Sequence, residues 1–428
     1  MINGFVLFLM ILFAALALLL LYRDGLIHKA WAAVLCAVLI ALALALRASA
    51  FDMETGDYRD FLVRWIDYYR QNGGFRAFRE PPPYCNYHVP YLYFLAFFSY
   101  LPFRDLYLIK LLSVLFDILM AWAAAKLTGC VTRSRGLRLA CFFAVLFWPT
   151  VFLNGAVWGQ CDSIYVAFAL LGIWLALEDR PVLSMCMLAF SFGFKLQAVF
   201  VLPIIPVLWI GKRYSLKHLL VFPAAYLLLI LPAILLGRPV LDTIFFYLRQ
   251  TSSIGDGLNY NSPSIFAIFW HIPDSQQDGV SKIAICAAGL YLLNLLALAW
   301  LKRRELNNRA ILCLALLMAI GIPFLLPHMH DRYFFPADLL SLVLAFSIPG
   351  LFLTAPLVCF ASFLGYYAYL SFYFSEKGGH FLLYLYYGSY ALLLALLLTG
   401  IGFALSVSGK NASGSGRQNP GSAAKRKT

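Results

Sequence analysis

The chain has 428 residues, 62% of them hydrophobic and 17% aromatic, while only 12% are charged. With a mean hydropathy of +0.80, such a surface cannot be solvated, so a soluble globular domain is excluded and a polytopic membrane protein is implied. The net charge of +13 falls in short Lys/Arg clusters between apolar runs, which is the pattern of cytoplasmic loops and not of a nucleic-acid-binding face.

Apolar segments near 2–22, 30–49, 106–128, 139–156, 163–177, 182–194, 196–210, 218–236, 283–301, 310–326, 335–348, 351–373 and 381–405 predict an all-α polytopic protein of about 13 transmembrane helices. The first run is span-length and has no basic segment before it, which predicts a retained helix and not a cleaved signal. Arg23 and Lys29; Arg133, Arg135 and Arg138; Lys212, Arg213 and Lys217; and Lys302, Arg303, Arg304 and Arg309 mark cytoplasmic loops. VPYLYFLAFFSYLP, 89–102, is too short for a comfortable span, and a crossing there would invert every later basic loop. It is read as an interfacial helix, which makes 50–105 one external loop of two interfacial helices. The chain then divides into N-terminal helices (1–49), this loop, a transmembrane bundle (106–405) and a flexible basic cytoplasmic tail (406–428). The Asn-Ala-Ser match at Asn411 falls on the wrong side for glycosylation.

The stretch from Asp52 to Arg64 concentrates six charges in a charge-poor chain. From Tyr58 to Gln71, Phe61, Leu62, Trp65, Ile66 and Tyr69 define one apolar face, with Asp60, Arg64, Asp67 and Gln71 opposite, as in an amphipathic surface helix ended by Gly73-Gly74. Asp57 stands at its start. One reading makes it an N-cap that accepts backbone N–H bonds; the other makes it a chemical carboxylate.

Further polar points follow. NGAVWGQCDS presents Asn154, Trp158, Gln160 and Asp162, and HMHDRYFFP presents His328, His330, Asp331 and Arg332. Lys195 and Asp117 lie within apolar segments, where a charge faces a cavity or a partner. The bland readings are a belt tryptophan beside a turn, a solvated loop that anchors a helix end, and a structural Lys195–Asp117 pair. His328 and His330 with Asp331 are of zinc-ligating type, but the sequence places no further ligand beside them, and no metal site is assigned. The nine cysteines are scattered, most of them in apolar runs, and Cys85 and Cys161 are expected to be unpaired.

In order and sidedness GDY, PPPYCNYHVPYLY, the Asp117 segment, WGQCDSIY, FKLQAVFVLPI, NSPSIFAIF and HMHDRYFFP resemble the GT-C glycosyltransferases over about residues 50–340. The similarity is greatest to bacterial proteins related to the second mannosyltransferase of GPI-anchor assembly. The ER dolichyl-phosphate-glucose glucosyltransferases are more distant. The resemblance implies a GT-C-type bundle, a polyprenyl-phosphate sugar donor, an external active site and Asp57 as general base. It also implies that His330 and Arg332 attend the donor phosphate, where the glucosyltransferases carry His-Glu-Lys. Trp158, Gln160, Asp162 and Lys195 are the other substrate-binding candidates. The extra run at 2–22 and the Cys85-Asn86 insertion depart from the pattern.

The chemistry is consistent with this: a hydroxyl attacking an anomeric carbon needs a carboxylate to take its proton, and a departing lipid phosphate needs positive charge and donors. The expected activity is transfer of a mannose- or glucose-type hexose, with inversion, to a lipid-linked or cell-surface glycan, at the external face of a bacterial plasma membrane. No cofactor is expected; the alternative is a divalent metal shared by Asp57 and Asp162. A transporter or flippase of lipid-linked sugars is the competing class, and would be expected to show internal repeats, which the sequence does not. An assembly subunit or a pyrophosphate-dependent oligosaccharide ligase stands further off.

Overall fold

The computed structural model describes residues 4–250, 257–269, 271–374 and 384–408. The expected flexible tail from residue 409 onward, with Asn411, lies outside the described residues. Helix dominates because backbone N–H and C=O groups in a bilayer must be satisfied within the segment. The helices are α1 (Gly4–Arg23), α2 (Ala30–Ser49), α3 (Val63–Gln71), α4 (Val89–Phe98), α5 (Asp105–Gly129), α6 (Arg135–Leu146), α7 (Pro149–Phe152), α8 (Asp162–Leu177), α9 (Pro181–Phe194), α10 (Ile204–Ile210), α11 (Leu216–Leu219) and α12 (Val221–Leu235). They continue with α13 (Val240–Ile244), α14 (Phe246–Gln250), α15 (Ile265–Ile268), α16 (Asp274–Leu301), α17 (Asn308–Leu325), α18 (Phe335–Ser347), α19 (Thr354–Phe374) and α20 (Leu385–Val407). Two π-helical turns, Tyr58–Leu62 before α3 and Leu153–Trp158 after α7, flank the positions of Asp57 and Trp158.

Among the described residues eight helical segments are long and apolar enough to cross a membrane, and α6 with α7 and its π turn makes a ninth if their 43° bend is one broken span. The other four expected spans, near 163–177, 182–194, 196–210 and 335–348, are helical but shorter. They pack against the bundle, with Ile164, Leu188, Ile204 and Leu340 all buried. α5 and α17 are inner helices, 83% buried over their apolar windows, while α1, α16 and the span that contains α12 are 22% buried and expose mainly Leu and Ile outward.

The loops gather at two opposite ends. At one, Asp24 pairs with Lys126 at 2.9 Å, Arg213 with Asp179 at 2.9 Å, and Asn307 donates to the Ser406 carbonyl at 2.8 Å. At the other, residues 57, 158, 195, 260, 330 and 369 meet. Between the ends, Arg47 Nε donates to Asp117 Oδ2 at 2.9 Å and Arg47 Nη1 to the Leu146 carbonyl at 2.8 Å, with both side chains 1% exposed. Asp117 is therefore tied to α2, and the bland reading of a Lys195–Asp117 pair does not hold, since Lys195 bonds Asp162. Cys85 and Cys161 are both free thiols.

In the first loop the buried face is Tyr58, Leu62, Trp65, Ile66 and Tyr69, spaced by three and four residues as a helix stripe requires. Phe61, expected on that face, is 40% exposed and borders the cavity described below. Gly73 and Gly74 take left-handed backbone just past α3, as a helix stop requires. Arg104 bonds Asp52 and Glu54, each at 2.7 Å, and Lys110 Nζ donates to the Ala50 and Met53 carbonyls at 2.7 Å, so the start of the loop is fastened to α5.

Candidate active site

Asp57 is not an N-cap. Its backbone is already helical and its side chain caps no N–H. Instead Oδ2 accepts from Trp158 Nε1 at 2.9 Å and Gln160 Nε2 at 2.6 Å, and Oδ1 accepts from the Tyr369 hydroxyl at 3.0 Å. Two residues of one short turn reach the same oxygen because Gly159 between them holds φ +79°, a conformation a side chain would strain. The turn is anchored from behind: Ser113 Oγ donates to the Gln160 carbonyl at 2.7 Å and Thr55 Oγ1 to the Trp158 carbonyl at 3.1 Å. Of the six charges from Asp52 to Arg64, only Asp57 lines the cavity; Asp60 and Arg64 face each other at 3.8 Å in solvent.

The cations lie on the far side of the indole. Tyr369 stacks on Trp158 with centroids 3.9 Å apart, and the Arg332 guanidinium carbon sits 4.9 Å from the Trp158 ring centroid, so one indole donates to the carboxylate through its edge and carries a cation on its ring. Asp162, 1% exposed, opens the first turn of α8. Oδ1 accepts from Lys195 Nζ at 2.6 Å, while Oδ2 accepts from Asn154 Nδ2 at 2.8 Å and lies 3.6 Å from Arg332 Nε. Lys195 is the residue that ends α9 in extended backbone, which turns its side chain into the cavity.

HMHDRY is held by a two-residue parallel ladder, β1 (Asn259–Tyr260) against β2 (Met329–His330), which joins the NSPS segment to it. His330 stacks on Tyr260 at 4.8 Å. Burial first and Arg332 second push its imidazole down to about 4, so near neutral pH it carries no charge. Burial pushes the Asp331 carboxyl up to about 7 against the attraction of Arg332. His328 turns away: Nδ1 lies 2.8 Å from the Gly257 carbonyl and Nε2 3.4 Å from Ser281, so the two histidines do not converge.

A cavity of about 500 Å³ opens onto Asp57, Gln160, Lys195, His330 and Arg332 together. Trp158 and Asp162 support it without lining it. All seven candidate residues thus belong to one cluster. Tyr369 and Tyr87 also belong to it, the latter donating to Gln160 Oε1 at 3.0 Å with Lys195 5.4 Å from its ring centroid. In the sequence Tyr369 lies in the aromatic run YYAYLSFYF, where nothing separates it from lipid-facing neighbours; its i, i+3 relation to Tyr366, which accepts from Asn154 at 2.8 Å, is the one usable signal. Asp57 has its oxygens engaged by N–H and O–H donors, and Asp162 faces two cations and the Asn154 amide.

In a helical bundle with span-length apolar helices, a carboxylate and two cations thus face one cavity. Residues 81–211 match the family model described as MptA_B family, alpha-(1->6)-mannopyranosyltransferase, N-terminal domain, which supports a membrane glycosyltransferase. The matched segment carries Trp158, Gln160, Asp162 and Lys195 and stops short of Asp57 and Arg332 on either side. No curated protein matches the chain.

Proposed function

We propose that the protein transfers a mannose-type hexose from a polyprenyl-phosphate sugar to a lipid-linked or cell-surface glycan on the external face of the plasma membrane, with inversion. One observation carries the reading: Asp57, fixed by three side-chain donors, opens into the same cavity as Lys195 and Arg332. The acceptor hydroxyl gives its proton to Asp57 as its oxygen bonds to the anomeric carbon, and the bond from that carbon to the phosphate oxygen breaks on the opposite side. The electron pair leaves with polyprenyl phosphate, and the proton passes from Asp57 to solvent. A phosphate leaving group needs no acid, only positive charge. Lys195 offers three N–H donors and Arg332 five, and Asp162 and Asp331 use only part of them. Neutral His330 supplies one further hydrogen bond and no charge. In this reading charge neutralisation comes from the two side chains and not from a metal ion. Asp162 acts as a positioning residue that aims both cations.

The test is direct. Purified, reconstituted protein is offered a panel of polyprenyl-phosphate and nucleotide sugars with mannoside acceptors, and products are read by mass spectrometry. Product from a polyprenyl-phosphate hexose alone, with inverted linkage, is expected; product from a nucleotide sugar alone sinks the donor assignment. Translocation of lipid-linked sugar without any product would favour the transporter class.

A further inference from the structure

Arg238 is a cation the cavity does not use. Helix α12 closes with the Gly237 N–H donating to the Ile234 carbonyl and the Arg238 N–H to the Ala233 carbonyl, both at 3.0 Å, with Gly237 at φ +97°. Pro239 then starts α13, so the backbone around Arg238 is fixed. The side chain is 7% exposed and its Nη1 is buried without a partner. Among the described residues its guanidinium makes no hydrogen bond and no ion pair. Tyr69, Cys85, His88 and Tyr93 all lie within its electrostatic reach, and the Tyr69 hydroxyl is likewise buried without a partner. The stem of Arg79 lies against Gly237, 3.7 Å from where a Cβ would stand.

A guanidinium that keeps one nitrogen buried and meets no counter-charge is unfavourable, and an anion from outside the chain that reaches its remaining nitrogens relieves that cost. The surroundings say which kind. Leu235 and Leu241, on either side of Arg238, are 77% and 66% exposed, an apolar surface that faces acyl chains in a membrane protein. The planar fork of arginine matches a phosphate through paired hydrogen bonds. We propose that Arg238, with the Tyr69 hydroxyl and Arg79, holds the phosphate of an anionic membrane lipid where α12 meets the first loop, apart from the cavity that Asp57 lines. This site does not depend on the glycosyltransferase reading.

The experiment uses the full chain, delipidated in neutral detergent and titrated separately with phosphatidylglycerol, phosphatidylcholine and inorganic phosphate while unfolding temperature is followed. Phosphatidylglycerol is expected to raise it. Arg238→Met should weaken that response by about tenfold in half-saturating lipid, while matching or exceeding the wild type without lipid because the uncompensated charge is gone. Tyr69→Phe and Arg79→Gln should each weaken it by roughly threefold, and they carry the test if Arg238→Met does not fold. An equal rise with inorganic phosphate overturns the lipid as the source of the anion. Equal responses to the two lipids, or a wild-type response in all three variants, overturn the site.

Discussion

At the scale of the residue, Asp57 is a carboxylate whose geometry is set by its neighbours and not by its own helix. In Asp57→Asn the amide oxygen can still accept from Trp158 and Gln160, and the amide nitrogen can donate to the Tyr369 hydroxyl, so the arrangement survives while proton acceptance is lost. Turnover should fall by about 100-fold or more with little change in donor KM, and exposed Asp60→Asn should be mild. Full activity in Asp57→Asn would remove the base assignment. Asp331 makes a different prediction. Its folded-state value of about 7 stands above the unfolded one near 3.9, so the folded chain holds a proton that the unfolded chain releases between about pH 4 and pH 7. Stability from this group is therefore present at low pH and is lost as pH rises through that window. The unfolding temperature of Asp331→Asn relative to wild type should climb from near zero difference at pH 4 to a plateau above pH 7; a difference independent of pH would place the strain elsewhere.

At the scale of the element, the two π-helical turns and the extended break at Lys195 are what deliver the site, since each interrupts regular α-helix next to a side chain that belongs to it: the first leads into α3 beside Asp57, the second follows α7 and carries Trp158, and the break ends α9. The sequence made the polar residues at these breaks legible, because Trp158, Gln160, Asp162 and Lys195 interrupt apolar runs. It did not disclose their partners. Arg47 stands at the end of an apolar segment where a terminal cation calls for no explanation, so nothing in the sequence marks it as the partner of Asp117, and Tyr369 is hidden in an aromatic run. The N-cap reading of Asp57 failed because helical backbone begins at Gly56, two residues before the Tyr58 start that the apolar pattern suggests. The Arg47–Asp117 pair is itself testable. Asp117→Leu leaves a buried unpaired guanidinium and should cost about 3–5 kcal/mol, while adding Arg47→Met should restore most of it, leaving the Leu146 carbonyl as the unmatched group. A double variant as unstable as the single one would mean that the pair is not what joins α2 to α5.

At the scale of the whole molecule, the contacts divide the loops into two sets at opposite ends, and the division follows the charge pattern. Asp24, Lys126, Arg138, Asp179, Arg213 and Asn307 meet at the end with the basic loops, whereas Asp57, Trp158, Lys195 and Arg332 meet at the end with the cavity. The short helix α4 is decisive for this order: at 10 residues it is well below span length, and its burial of Leu92, Leu95 and Ala96 against the bundle keeps the first loop at the cavity end. If basic loops stay on the cytoplasmic side, the cavity opens outward. The check is cysteine labelling in intact cells, with Cys85, Cys130, Cys186, Cys286 and Cys359 first changed to alanine because they are the thiols not fully buried. Gln71→Cys, exposed at the end of α3, should react with a membrane-impermeant maleimide, and Gly136→Cys, exposed at the start of α6, should react only after permeabilisation. The reverse result would put the cavity in the cytoplasm, where the sugar donors are soluble nucleotide conjugates, and with it the proposed polyprenyl-phosphate donor would lose its reason.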